Sequence, residues 1–376
     1  MNFIKSATSE GLADADGVTH SEYVNLYRHF AKNRELSIII TGHIAVSREG
    51  RPEARCVFLT DGEGYPYKLR TRNLRRMTEA VHSENPSVKI IAQLNHGGRQ
   101  IPRLQLRKNK TSICCSPIQK KVNKSAFMFK TPNQTPQSCK YIKDQFVIGA
   151  KQMEQAGFDG VQIHCAHGYL LHDCIKAGLI QFVMEILTEI KDQCKGILMI
   201  KVNADEDNLK FINEAIKIVD IVELSKGSYD NPNDMIENHR SKPAACFIEQ
   251  HQELTKQKAK ICVTGGFHTR EEGQNVLMEQ ICHYVGFGRL YLMPQITKVQ
   301  RLSFGRMVQA LSKFMPLINA GPATIFYEEE QRRIAKKIAL KNEDEMKRVG
   351  IMWWFVCMII SFFGFQRYNT IRDMTK

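Results

Sequence analysis

The sequence predicts a (β/α)8 barrel, a closed ring of parallel strands each followed by a helix (a TIM barrel, α/β class), with a C-terminal hydrophobic helix beyond it. Three observations carry that reading. Eight short β-rich apolar runs recur between helix-period stretches across about 290 residues, which is the arithmetic of this fold. Most of the runs are continuously apolar rather than alternating, as strands covered on both faces require. A doubly wound sheet would want a Gly-rich turn after its first strand, and Ser6-Ala7-Thr8-Ser9 is no such turn.

In chain order the strand candidates are Phe3–Lys5, Leu36–Thr41, Val88–Leu94, Gly160–His164, Gly196–Asn203, Ile218–Leu224, Ala259–Thr264 and Cys282–Phe287. Helix-period stretches between them include Ile142–Ala156, Phe182–Gln193, Leu209–Ile218 and Arg270–Gln280. The barrel is expected to occupy residues 1–335 and a charged connector residues 336–348. Val349–Phe365 then runs seventeen residues without a charge, between Lys347-Arg348 and Arg367. That is the lower limit for a membrane span, and Trp353 and Trp354 lie near one edge, where an interface favours them. A buried terminal helix is the competing reading. A complete barrel leaves the tail no core to fill, which tilts the expectation towards a C-terminal membrane anchor.

The 376 residues carry 53 Lys+Arg against 39 Asp+Glu, a formal +14, with 43% hydrophobic and 24% charged residues. These values exclude a wholly disordered chain, a collagen and a polytopic membrane protein. Eleven cysteines without a CxxC pair fit free thiols in a reducing compartment better than a disulfide framework or iron–sulfur ligands. Met1-Asn-Phe-Ile-Lys-Ser6 leads straight into the acidic Glu10–Asp16 stretch, so no secretory signal is read there and a cytoplasmic location is expected. From Asn85 to Lys143 there is no acidic residue against twelve Lys and Arg. Such a field could attract nucleic acid, an anionic membrane or a phosphorylated small molecule. The plain alternative is a solvated basic loop. Few aromatics accompany the run, so no nucleic-acid partner is expected.

In a barrel, chemistry sits where strands end and the following loops begin. Gly265 and Gly266 close the seventh strand, and Gly288 and Arg289 close the eighth. Bare backbone N–H groups there can approach a phosphate, with Arg289 adding a charged fork. Tight turns with a surface arginine are the alternative. His164, His167 and Tyr169 fall within six residues at the end of the fourth strand. Two imidazoles can hydrogen-bond one oxygen while a phenol delivers a proton nearby. A metal would need a third ligand, and neither HExxH nor a carboxylate partner is apparent, so no metal is expected.

From Phe3 to about Ala335 the chain resembles the old yellow enzyme family of FMN-dependent NAD(P)H:flavin oxidoreductases, the ene-reductases. The matching stretches include Lys5–Asp14, Ile39–His43, Ile91–Arg99, Ala156–Leu171, Val263–Gly266 and Val285–Arg289. The resemblance implies FMN as cofactor and NADH or NADPH as co-substrate. It implies that Ala7, Ser9 and Gly42 line the flavin ring, with Ser9 standing for a usual threonine. Gln93 would bind the pyrimidine edge. Lys201 would stabilise negative charge on the reduced ring, and Gly265, Gly266, Gly288 and Arg289 would hold the phosphate. His164 and His167 would grip the carbonyl oxygen of an activated alkene. Reduced flavin would pass a hydride to the β-carbon, and Tyr169 would protonate the α-carbon. An enone or quinone-like substrate and a homodimer belong to the same expectation.

Three departures stand against that pattern. The family has a long loop after Leu171, whereas here His172–Gln181 runs directly towards the helix at Phe182. A Gly-Gly loop is also missing between Asn203 and Leu209, and Lys226 replaces a glycine after the sixth strand. Both shortened loops belong to the catalytic face. The rival reading is therefore a degenerate flavin barrel, impaired in turnover, acting as a membrane-tethered scaffold.

Overall fold

The computed structural model describes residues 2–14, 16–53, 55–60, 67–101, 113–114, 133–134, 136–226, 243–267, 269–292 and 331–336. Eight parallel strands close the barrel: β1 (Phe3–Lys5), β2 (Leu36–Ser47), β4 (Lys89–Asn95), β7 (Gly160–Cys165), β8 (Ile197–Asn203), β9 (Ile221–Ser225), β10 (Lys260–Thr264) and β11 (Tyr284–Phe287). β1 pairs with both β11 and β2, which seals the ring. A short strand β3 (Phe58–Thr60) extends β2, and β5 (Ile113–Cys114) pairs with β6 (Asn133–Gln134) outside the ring. The helices are α1 (Ser21–Ala31), α2 (Tyr67–Glu84), α3 (Pro136–Gln155), α4 (Leu170–Lys176), α5 (Ile180–Gln193), α6 (Leu209–Ala215), α7 (Pro243–Gln250) and α8 (Arg270–Met278).

The continuous apolar strands are explained by two cores. Ile4, Ile38, Ile40, Ile91, Met199, Ile221 and Cys262 fill the lower interior of the ring. The opposite faces, such as Phe3, Ile39, Ile90 and Ile200, pack outward against the helices. Helices meet that outer face with apolar stripes at helical spacing: Tyr23, Leu26, Tyr27 and Phe30 are the buried side of α1. At α8 the start is fixed by a capping box, in which the Thr269 side chain accepts from Glu272 N–H and the Glu272 side chain accepts from Thr269 N–H.

Most expected elements are found within a few residues of their expected bounds. β2 runs on to Ser47, past the Gly42-His43 break in the apolar run, and its register against β4 shifts between Ile40 and His43. The expected strand over Ile218–Leu224 begins only at Ile221. Asp220 is held at the turn before it, accepting from Leu198 N–H at 2.8 Å and from Lys191 Nζ. The stretch expected to run straight from His172 into the next helix instead winds α4, breaks at Gly178 (φ 82°) and restarts as α5.

Among the described residues, three members of the basic run are paired with acids. Arg99 is buried against Asp173, Lys89 pairs with Asp159 at 3.0 Å and Lys143 with Glu189 at 3.3 Å. Residues 102–112 and 115–132 lie outside the described residues. So does the expected C-terminal anchor over 349–365. Among the described residues no helix is long and apolar enough to cross a membrane. Residues 331–335 dock on the barrel: Gln331 Nε2 donates to Ser9 O at 2.5 Å and Asn25 Nδ2 to Ala335 O at 3.1 Å.

Candidate active site

Alternation along the strands builds the site. Two residues beyond the apolar layer, the pleat returns to the same face, and the residues there are polar: Ser6, Gln93, Lys201, Glu223 and Thr264. They form a buried network. Gln93 Nε2 donates to Gln162 Oε1 at 2.7 Å, Gln162 Nε2 donates to Glu223 Oε2 at 2.6 Å, and Lys201 Nζ stands 3.1 Å from Glu223 Oε1. Ser6 and Thr264 share a hydrogen bond at 3.0 Å. Another two residues on, Asn95, His164, Asn203 and Ser225 line the rim. Asn95 is fully buried, yet neither side-chain amide atom has a hydrogen-bond partner, which marks a place for a polar ligand.

At the rim the chain turns sharply from β7 into α4. His167 (φ 61°) and Gly168 (φ 79°) are both left-handed. His167 N–H donates to Asn203 Oδ1 at 3.0 Å, its ring Nε2 meets Ser225 Oγ at 3.1 Å, and its carbonyl accepts from Gln100 Nε2 at 3.1 Å. These bonds hold a backbone conformation that a histidine rarely adopts. The turn brings the three expected catalytic residues together. His164 lies 5.2 Å from His167 and 4.9 Å from Tyr169, ring centre to ring centre and edge to face in both pairs.

Both imidazoles are held neutral. Burial, then the neighbouring charges of His167 and Lys201, push His164 well below the usual histidine value; burial and Lys201 do the same to His167. His164 Nδ1 accepts from Ala166 N–H at 3.2 Å, so its proton sits on Nε2 and is available to donate.

The expected cofactor residues fall into groups. Gly265 (φ 91°) and Gly266 (φ 78°) are left-handed after β10, and a Cβ placed on Gly265 would meet nothing within 4 Å. That is open backbone. Gly288 follows β11, close to Thr8, whereas the expectation for the Arg289 guanidinium lies outside the described side chains. Gln93 and Lys201 are buried in the interior network, and Ala7 packs on the apolar layer beneath it. Ser9 Oγ donates to the Glu53 carboxylate. Gly42 has a packing reason of its own: its N–H donates to Glu10 Oε1 at 2.7 Å, and a Cβ would sit 2.1 Å from Glu10 Oε2.

Sequence reasoning missed Glu223, Gln162, His43 and Glu53. Glu223 had a signal, being a lone acid inside the apolar run Ile-Val-Glu-Leu-Ser. His43 had none, because the strand was ended before it.

Open backbone at Gly265 and a buried cation, Lys201, both near the carboxyl ends of strands in a parallel barrel, suit an enzyme with a phosphorylated cofactor. Residues 3–303 match the NADH:flavin oxidoreductase / NADH oxidase family, and the chain belongs to that family. It is 24% identical over 390 residues to the NADH-dependent flavin oxidoreductase iliE of Neonectria sp. (strain DH2), covering 90% of this chain and 49% of the relative. It is 23% identical over 259 residues to the putative 12-oxophytodienoate reductase 3 of Oryza sativa subsp. japonica, covering 61% of this chain and 67% of the relative. Among solved structures, morphinone reductase superposes with a TM-score of 0.61 at 15% identity, over 77% of this chain and 82% of that one. That likeness establishes the fold. The chain thus spans about half the length of iliE. Members of that family are described as flavin enzymes that use NADH. The open Gly265 backbone, the unpartnered Asn95 amide and the buried Lys201 fit a flavin nucleotide.

Proposed function

We propose that this chain reduces activated alkenes, α,β-unsaturated carbonyl compounds, at the expense of NADH or NADPH. The observation that carries the reading is the rim grouping of His164, His167 and Tyr169, two neutral imidazoles packed edge to face on each other with His164 also edge to face on a buried phenol. Relatives named as reductases of 12-oxophytodienoate and of morphinone support a small organic substrate.

Bound FMN supplies the hydride. The chain's own residues do the remaining work. His164 and His167 donate to the carbonyl oxygen, favouring the charge that grows there. Tyr169 holds the proton for the α-carbon. Lys201 offers a buried positive charge that favours added negative charge on the ring, moderated by Glu223. Gly265, Gly266, Gly288 and Arg289 would hold the phosphate, with Gln93 at the pyrimidine edge.

The rival of a barrel without turnover rests on the shortened loops. Against it stand the assembled rim residues and α4, which fills the shortened stretch and is tied down by the Arg99–Asp173 ion pair. A membrane tether over 349–365 remains part of the proposal on sequence grounds. Liposome cosedimentation of the full chain, lost on truncation at 348, would support it.

The test is anaerobic reduction of the FMN-loaded full chain by NADH and by NADPH, followed by mixing with a panel of enones and quinones. Rapid reoxidation by an enone supports the proposal. A flavin that binds, is reduced, and is reoxidised by no member of the panel overturns it.

A further inference from the structure

His43 is a buried imidazole that the reaction above does not use, and it sits against Tyr169. Their ring centres are 6.0 Å apart at 64°, an edge-to-face contact. On its other side His43 Nε2 lies 3.3 Å from Glu53 Oε1, an ion contact rather than a directed hydrogen bond, and the Ser9 hydroxyl donates to that same carboxylate oxygen. β2 delivers His43 to this position because its register shifts just before it, so that His43 stands opposite Gln93. Exposure falls along the row: the Glu53 side chain is 30% exposed, that of His43 10%, and Tyr169 5%. One end therefore touches water, and the other is the phenol assigned to protonate product.

From this row we infer that Glu53 and His43 form the proton-supply line of Tyr169, returning a proton to the phenolate after each turnover. The inference rests on the proposed alkene reduction. In the step, the Tyr169 O–H bond breaks as its proton goes to the substrate α-carbon. An N–H bond of the His43 imidazolium then breaks as its proton passes to the phenolate, directly or through one water. His43 recovers a proton from solvent at the exposed Glu53 edge. No electron moves along the row; one proton per turnover passes from water to product.

Electrostatics agrees with the geometry. Burial disfavours the charged form of His43, but the Glu53 carboxylate, with Cys56, outweighs it and raises His43 well above the usual histidine value. Glu53 is held below the usual carboxylate range, because His43 and Ser9 outweigh its own burial. The titratable groups that face His43 are Glu53, Cys56, Tyr169 and, across the rim, His164. His164 and His167, depressed by the same surroundings, cannot serve as the store.

The experiment uses FMN-loaded full chain carrying His43→Gln or Glu53→Gln. Repeated turnover of an enone should slow roughly tenfold or more in H43Q, with a smaller loss in E53Q, while a single stopped-flow reoxidation, which starts from protonated Tyr169, and reduction by NADH stay within about twofold. The slowing should deepen as pH rises and solvent protons become scarce. Independently of turnover, NMR of tyrosine labelled at Cζ, with Tyr169 identified as the signal missing from Y169F, should show its pKa rising by about one unit in H43Q as the neighbouring cation is lost. Repeated turnover at the unmutated rate, a single reoxidation slowed as much as turnover, or an unmoved Tyr169 titration overturns the inference. If the unmutated protein is not reoxidised by any enone, the proposed function fails, and the NMR titration still decides whether His43 and Tyr169 are coupled.

Discussion

Lys201 and Glu223 are paired directly by the register of β8 and β9, and their side chains meet inside the barrel with Nζ 3.1 Å from Oε1. Glu223 is wholly buried, and its other oxygen accepts from Gln162 at 2.6 Å. Such a pair adds little net stability over an apolar one, but removing one member strands a buried charge. Glu223→Ala is expected to cost about 3–5 kcal/mol in urea unfolding. Glu223→Gln, which keeps the shape and an acceptor, should cost less and raise the midpoint potential of the bound flavin, because Lys201 is then uncompensated.

Gly42 and Gly265 should separate cleanly. Gly42→Ala drives a Cβ into Glu10 and Thr8 O, at 2.1 and 2.5 Å, and is expected to abolish soluble folded protein. Gly265→Ala meets no atom within 4 Å but must hold φ 91°, a strain of about 1–2 kcal/mol. It should fold with a small loss of stability and bind FMN at least several-fold more weakly, read by fluorescence titration.

Arg99 and Asp173 tie α4 to the segment after β4 while both are nearly buried. Leu170 N–H adds a bond to His96 O at 3.1 Å. Asp173→Asn is expected to lower stability by about 3 kcal/mol and to loosen the turn that carries His167 and Tyr169. Enone reoxidation should fall more than reduction by nicotinamide.

Buried neutral histidines set the acid limit of the fold. His96 is pushed by burial from 6.5 down to about 4, and His164 and His167 are depressed too. Unfolding lets each regain its ordinary value, so the unfolded chain binds more protons below about pH 6.5 and stability falls as pH drops. His96 alone accounts for roughly 3 kcal/mol between pH 6.5 and its folded value. His96→Gln should flatten that part of the pH–stability profile, measured by urea midpoints from pH 7.5 to 4.5.

Much of this was legible from residues alone, for a physical reason. Stretches such as Ile90–Ala92 and Leu198–Ile200 are apolar on both faces, so their burial and parallel pairing follow from composition. The rim residues were legible because glycines and histidines cluster at strand ends. What escaped was long-range or conditional on register. Glu223 stands out as a lone acid in an apolar run, but its partner Lys201 is apparent only once β9 is paired with β8. His43 falls beyond an apparent strand end at Gly42, and its partner Glu53 depends on a loop return. α4 was hidden because Leu170–Lys176 is too short to show helical periodicity, and tertiary ties such as Arg99–Asp173 help hold it in place.

The central claim is that Tyr169 is the proton donor of a flavin-dependent alkene reduction. Its most direct test compares the two half-reactions of FMN-loaded Tyr169→Phe by anaerobic stopped-flow spectrophotometry. The account expects reduction by nicotinamide within about twofold of the unmutated protein and reoxidation by an enone slowed by about 10²-fold or more. Reoxidation at the unmutated rate, or equal slowing of both halves, would contradict it.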